Sequence, residues 1–246
     1  MTQKINKDLT FDDFKKLASN EKLSEYEKIG FPDSYRKKYE KKIFQNIKKI
    51  LLLDRADITF FDIGCGCSEL PKMLIKNAQD YNQNLHVVDS SEMLNNLSSY
   101  NYAIKHCLKF PNDFISDKYE NSADVVLIYS VLQHVFLETN PFYFIDNAVK
   151  LLKNGGRLLL GDIPNISKRN RFFSSDAGIL FHQKFTKTKT FPELSTNNLN
   201  ENTIDDSLIF AILNRYRLAG YESYLLEQPD DLPMHNRRED ILIVKN

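Results

Sequence analysis

The chain has no tryptophan, three cysteines and eight glycines in 246 residues, and no excess of either charge, with 33 Lys and Arg against 33 Asp and Glu. Each shortage excludes something. Cys65, Cys67 and Cys107 are too few and odd in number for a disulfide scaffold, and they predict free thiols in a reducing cytoplasm. A zero net charge provides no long-range field to draw in a polyanion, which disfavours a general DNA or RNA coat protein. The longest apolar runs, near 124–135 and 158–160, are interrupted or far short of the ~20 residues that span a bilayer, so no membrane segment is expected. Residues 1–10 alternate polar and charged side chains and lack the apolar stretch of a secretory signal. What remains, 42% hydrophobic, 12% aromatic and 27% charged, describes a chain that folds by itself.

Hydrophobic periodicity organises this length into one domain over 1–246. Tyr35, Tyr39, Ile43, Ile47 and Ile50 recur at three- and four-residue steps and predict an amphipathic helix over 34–53, after a Phe31-Pro32-Asp33-Ser34 turn signal. From residue 58 short apolar runs alternate with helical stretches, the pattern of a parallel sheet. Strands are expected at 58–62, 85–89, 125–129 and 157–161, with helices at 69–78, 92–98 and 141–152, the last ended by Asn154-Gly155-Gly156. The rhythm then breaks for some forty residues, a length that suggests a lid rather than a bare connection. A helix at 204–218 and an antiparallel edge pair at 221–226 and 240–244 complete the chain. The expected parts are a helical cap (1–53), a cofactor-binding core (54–162), a substrate-cap insertion (163–203) and a closing helix and hairpin (204–246).

The sharpest feature is Asp62-Ile63-Gly64-Cys65-Gly66, where an apolar strand ends in an acid and a glycine pair before a helix. Glycine lets the backbone turn tightly and approach a ligand closely. Twenty-seven residues on, Val87-Val88-Asp89 ends a second strand in an acid suited to ribose hydroxyls. The third glycine of a dinucleotide fingerprint is absent, since Glu69 holds that position, and Asp62 would repel a pyrophosphate while attracting an amino-acid ammonium. A nicotinamide enzyme is therefore disfavoured, and a nucleoside bearing an amino acid is favoured.

With Asp124-Val125-Val126-Leu127 and Leu151-Leu152-Lys153-Asn154-Gly155-Gly156-Arg157-Leu158 following in order, the sequence resembles the class I S-adenosylmethionine-dependent methyltransferases. That resemblance implies an α/β, Rossmann-like, seven-stranded sheet with one antiparallel strand, flanked by helices and bearing an inserted cap after the fifth strand. It implies S-adenosyl-L-methionine as cofactor, S-adenosyl-L-homocysteine as product, and no metal. Gly64, Cys65 and Gly66 would line the methionine part with Asp62, Tyr129 and Ser130. Asp89 would meet the ribose, Ser90 or Leu94 the adenine, and Asn112, Asp113 and Phe114 the adenine edge. A shorter resemblance, through Gly161-Asp162-Ile163-Pro164-Asn165, Lys168 to Phe173 and Arg237 to Ile243, is to methyltransferases of bacterial capsule and surface-polysaccharide biosynthesis. It implies a small acceptor such as a sugar, a nucleotide-linked intermediate or a phosphate-derived group.

His134, just past the fourth strand, is the candidate general base, because imidazole titrates near neutral pH. A histidine merely packed at a helix start accounts for it equally well. Lys168, Arg169 and Arg171, joined by Arg237 and Arg238, are either a solvated face or a clamp for an anionic acceptor. Cys65 and Cys67 read as small loop residues, since a metal site would need further soft ligands. The partner expected is a small acceptor, with no nucleic acid or membrane, on a monomer or homodimer. A nucleic-acid or protein methyltransferase, a binding protein without turnover, and a nicotinamide enzyme stand as alternatives.

Overall fold

A computed structural model describes residues 9–194 and 202–246; the opening residues 1–8 and cap residues 195–201 lie outside the described residues. In chain order the N-terminal part forms α1 (Phe11–Ser19), α2 (Glu25–Lys28), α3 (Asp33–Arg36) and α4 (Glu40–Leu51). Thr10 and Ser24 each accept the free amide at the third helical position, and Asp13 and Glu27 answer with a bond back, so both short helices begin on a reciprocal cap. The single helix expected over 34–53 is broken at residues 37–39, and this break frees Arg36 to turn inward.

The core follows as β1 (Thr59–Ile63), α5 (Glu69–Asp80), β2 (Asn84–Asp89), α6 (Ser91–Asn95), β3 (Ile104–Cys107), α7 (Asp113–Lys118), β4 (Ala123–Tyr129), α8 (Leu132–Glu138), α9 (Pro141–Lys150) and β5 (Leu152–Pro164). Among the described residues the insertion after β5 forms two helices, α10 (Ile166–Phe173) and α11 (Asp176–Thr186). The chain closes with α12 (Asp206–Leu218), β6 (Tyr221–Leu226) and β7 (Arg238–Lys245).

The seven strands lie in the order β3-β2-β1-β4-β5-β7-β6, with β7 antiparallel to both neighbours and the other pairs parallel. This is the Rossmann-like, seven-stranded sheet with one antiparallel strand that the resemblance implies. Every residue of β4 is buried, as a strand covered on both faces must be. Alternate residues feed two cores: Phe61, Ile63, Val126 and Ile128 pack with α9 and α12, while Phe60, Val125 and Leu127 pack with α4 and α5.

Asn154 to Gly156 do not end a helix. The preceding helix stops at Lys150 with Leu151 as its cap, and the glycines lie in the irregular start of β5, where the register with β4 shifts. The short β3 has one buried residue, His106, too weak a pattern to stand out in the sequence.

Strand order reverses direction between β1 and β4. Open α/β sheets leave a crevice outside the carboxyl ends of their strands at such a switch point. Asp62, Gly64, Asp89, Tyr129 and Ser130 all fall there.

Candidate active site

A cavity with about 970 Å³ of empty volume, its open mouth included, occupies that crevice. Its floor is the loop after β1. Gly64 and Gly66 both take positive φ, +73° and +69°, and a side chain on them would collide with Val131 at 2.6 Å and with Ile29 at 2.8 Å. Only glycine fits under these neighbours.

Asp89 is held rigidly: one carboxylate oxygen accepts the Gly66 amide at 3.0 Å and the other the Ser90 amide at 2.7 Å. Burial still outweighs these bonds and pushes its carboxyl up to about 6. Asp62 is more exposed to cost, since it is 3% accessible and its carboxylate has no hydrogen-bond partner among the described residues. Burial, with the Asp89 charge nearby, pushes it up to about 8.

Arg36 is the cavity-lining charge that the sequence concealed. It lines the cavity at 5% exposure, donates through Nε to Glu40 at 2.7 Å and through a terminal nitrogen to Ser130 Oγ at 2.9 Å, and lies over the rings of Phe31 and Tyr129. Burial opposes its charge, but Glu40, Asp162 and Tyr129 more than compensate and hold its pKa above the ordinary value. Ser130 sits at φ +60° and donates to Asp162 at 2.5 Å, which the bulge in β5 turns toward it. The i to i+4 spacing of Arg36 and Glu40 was the available signal, and on a helix full of lysines it reads as a surface pair.

His134 lines the cavity too, but both its ring nitrogens are engaged. Leu9 offers only a carbonyl, so Nδ1–H must donate to it, at 3.0 Å; the Gln133 amide stands 3.3 Å from Nε2. Burial pushes this imidazole down to about 4, which leaves it neutral and weakly basic.

The remaining expected residues divide. Cys65 lines the cavity, and burial raises its thiol well above the usual range; Cys67 is buried outside the lining and raised to about 11. Ser90 caps α6 and Leu94 packs in the core behind it, so neither faces the cavity. Asn112 caps α7 through the Phe114 amide, Asp113 begins that helix and Phe114 is 55% exposed. The cavity wall there is Leu108, Lys109 and Phe110 instead. Phe11, Phe14, Ile29 and Phe31 form an N-terminal roof. Lys168, Arg169, Arg171, Arg237 and Arg238 stand outside the cavity, around α10 and the turn before β7.

Among the described residues no cluster of His, Cys, Asp and Glu could hold a metal ion, and no helix is long and apolar enough to cross a membrane.

Comparison with known proteins bears on this geometry. Residues 61–158, which contain the glycine loop, match a family model described as a methyltransferase domain. No curated protein sequence matches the chain. Among solved structures, the plantazolicin methyltransferase BpumL, crystallised with a desmethylPZN analog and S-adenosylhomocysteine, is 13% identical with a TM-score of 0.59, over 96% of this chain and 97% of that one. The citrinin polyketide synthase CMeT domain is 14% identical with a TM-score of 0.56, over 94% of this chain and 65% of its own. The CurJ carbon methyltransferase is 15% identical with a TM-score of 0.50, over 83% of this chain and about half, 52%, of its own. At these identities the likeness is one of fold.

Proposed function

We propose that the chain transfers the methyl group of S-adenosylmethionine to a small-molecule acceptor. The observation that carries this reading is Asp62, a buried carboxyl group without a hydrogen-bond partner among the described residues, at the switch point of a methyltransferase-type sheet. A buried charge is costly unless paired, and the ammonium of a methionine moiety is the cation such a pocket takes. Arg36, whose Nε bonds Glu40 and one of whose terminal nitrogens bonds Ser130, has further N–H groups to offer the methionine carboxylate. Asp89, fixed by two amides, presents its remaining lone pairs to ribose hydroxyls, and Leu108, Phe110, Val131 and Val135 offer an apolar slot for a flat base.

Bound there, S-adenosylmethionine supplies an electrophilic methyl on its sulfonium. This chain's residues supply position and dryness. Phe11, Phe14, Ile29 and Phe31 cover the pocket, and alignment of two reactants can be worth effective molarities of ~10⁵ M or more. A tied, neutral His134 is poorly placed to take a proton. The acceptor atom this site suits is therefore an oxygen already anionic, or an amine already neutral.

The neighbours named for plantazolicin and polyketide chemistry support a small-molecule acceptor over a nucleic acid, as does the zero net charge. A narrower reading, a phosphorylated or nucleotide-linked intermediate of capsule or surface-polysaccharide assembly in the cytoplasm, rests on the short segments 161–173 and 237–243. Calorimetric titration of the full chain with S-adenosylhomocysteine tests the main reading: saturable binding is expected, with none for NADH. Binding of NADH, or of neither, would overturn it.

A further inference from the structure

Lys168, Arg169, Arg171, Arg237 and Arg238 have two different fates. Lys168 pairs with Glu239 at 3.0 Å, Arg171 grips Asp206 with both terminal nitrogens, and Arg238 lies 3.7 Å from Asp162. Their charge is spent within the fold. Arg169 and Arg237 have no carboxylate within ion-pair distance among the described residues. Arg169 donates to neutral oxygens only, the Asn170 side chain at 3.5 Å and the Glu193 carbonyl at 3.2 Å, and Arg237 donates to the Tyr35 hydroxyl at 3.0 Å.

One ring brings these two together. The guanidinium carbons of Arg169 and Arg237 lie 5.1 and 5.5 Å from the centroid of Phe173, which is itself 6% exposed. Both arginines are half-buried, and burial together with the charge of Arg237 holds Arg169 below the ordinary guanidinium range. Two like charges gathered on an apolar floor repel one another; the Glu193 carboxylate offsets this in part at Arg169, and an anion held between the two guanidinium groups would offset the rest. The place is also telling. Tyr35 precedes the cavity-lining Arg36, and Arg238, next to Arg237, contacts the Asp162 that receives the Ser130 hydroxyl.

We propose that Arg169, Arg237 and the Tyr35 hydroxyl form an oxyanion anchor for the methyl acceptor, taking a phosphate or carboxylate group outside the cofactor cavity. This rests on the methyltransferase reading and narrows it to acceptors with an oxyanion some distance from the methylated atom. Lys168, Arg171 and Arg238 are excluded from the anchor because their partners already neutralise them.

The test uses the full chain loaded with S-adenosylhomocysteine, titrated at constant ionic strength with inorganic phosphate and, separately, with acetate, and read by the side-chain NMR signals of the arginines. Selective, saturable shifts of Arg169 and Arg237 are expected, and the tighter of the two probes identifies the acceptor group as phosphate or carboxylate. Arg237→Gln and Arg169→Gln should each weaken binding at least 10-fold, Tyr35→Phe by a smaller factor, and Arg171→Gln not at all. Equal shifts at all arginines, or unchanged binding in Tyr35→Phe and both glutamine variants, would overturn the anchor. Cofactor affinity is measured on the same samples: if the wild type binds S-adenosylhomocysteine but neither oxyanion, the anchor alone fails. If it does not bind S-adenosylhomocysteine, both readings fail. Should a glutamine variant unfold, Tyr35→Phe, which removes one hydroxyl, decides.

Discussion

The crevice at the sheet ends and the insertion after β5 both hold arginines facing carboxylates, yet the two regions obey different electrostatics. Arg36 and Glu40 meet at 2.7 Å with side chains 6% and 3% exposed, whereas Arg171 and Asp206 meet with side chains 59% and 29% exposed. In the crevice each charge has been stripped of water and must be satisfied by protein or ligand; on the cap, water screens both partners. Residue type and spacing therefore say little about a charge. Depth decides whether it is a binding group or a solvated ornament of the surface.

The strongest way to break this contrast is Arg36→Ala. It would leave Glu40 buried without its main partner, and one oxygen of that carboxylate already has none. Removing one member of a buried pair costs about 3–5 kcal/mol, so a large fall in the denaturation midpoint is expected together with loss of S-adenosylhomocysteine binding. The double variant Arg36→Met, Glu40→Leu separates the two effects. Stability should return, because a well-packed apolar pair replaces a buried ionic one at little cost, while cofactor affinity should not. Recovery of both would show that Arg36 has no role toward the ligand.

Next in size is Gly64→Ala. The added methyl would stand 2.6 Å from Val131 at φ +73°, so both the turn and the pocket floor must shift. At least a 10-fold loss of cofactor affinity is expected by calorimetry, partly recovered by adding Val131→Ala. Gly155→Ala is the matched control, since it shares a positive φ of +77° but would meet nothing within 4 Å. It should cost about 1–2 kcal/mol of stability and leave binding alone. Equal binding losses at the two glycines would deny the loop its close approach.

A third test exploits the unpaired carboxylate. Burial, and for Asp62 also its neighbour Asp89, pushes Asp62 up to about 8 and Asp89 up to about 6. With folded pKa values raised, their contribution to stability is fully present below the ordinary carboxylate range and is lost as pH rises toward 8. A bound ammonium favours the ionised form of Asp62, so binding expels a proton. S-adenosylhomocysteine affinity should thus rise between pH 6 and 8, and titrations in buffers of different ionisation enthalpy should register the released proton. Asp62→Asn should flatten the pH dependence, weaken binding about 10-fold or more and stabilise the ligand-free chain at pH 8. A flat wild-type profile would remove the ammonium from Asp62.

Legibility followed the same division. The glycine loop and the acidic strand tips could be read because strand, turn and helix signals stand side by side in residues 59–70 and 85–89. The roof could not, because Phe11, Phe14, Ile29 and Arg36 reach the crevice only when helices outside the βαβ rhythm fold back on it. The adenine-side wall shows a local version of this. Asn112 looks like a polar ligand contact, but a free helix amide lies two residues on and takes its side chain, and Leu108 to Phe110 line the cavity in its place. The cap helices were hidden for another reason: α11 leaves Leu180, Phe181 and Phe185 exposed, so the burial stripe that announces a helix is absent.

The smallest expected effect completes the contrast. Arg171→Ala removes both hydrogen bonds to Asp206, but that carboxylate keeps the Asn165 amide at 2.7 Å and ready access to water. Surface pairs of this kind contribute ~0–1 kcal/mol, so the variant should unfold within about that margin of the wild type, and the difference should shrink further as salt is added. Cofactor affinity should be unchanged, since Arg171 is outside the cavity. A salt-insensitive loss as large as that of Arg36→Ala would mean that the cap excludes water as the crevice does, and depth in the static fold would then be a poor guide to which charges matter.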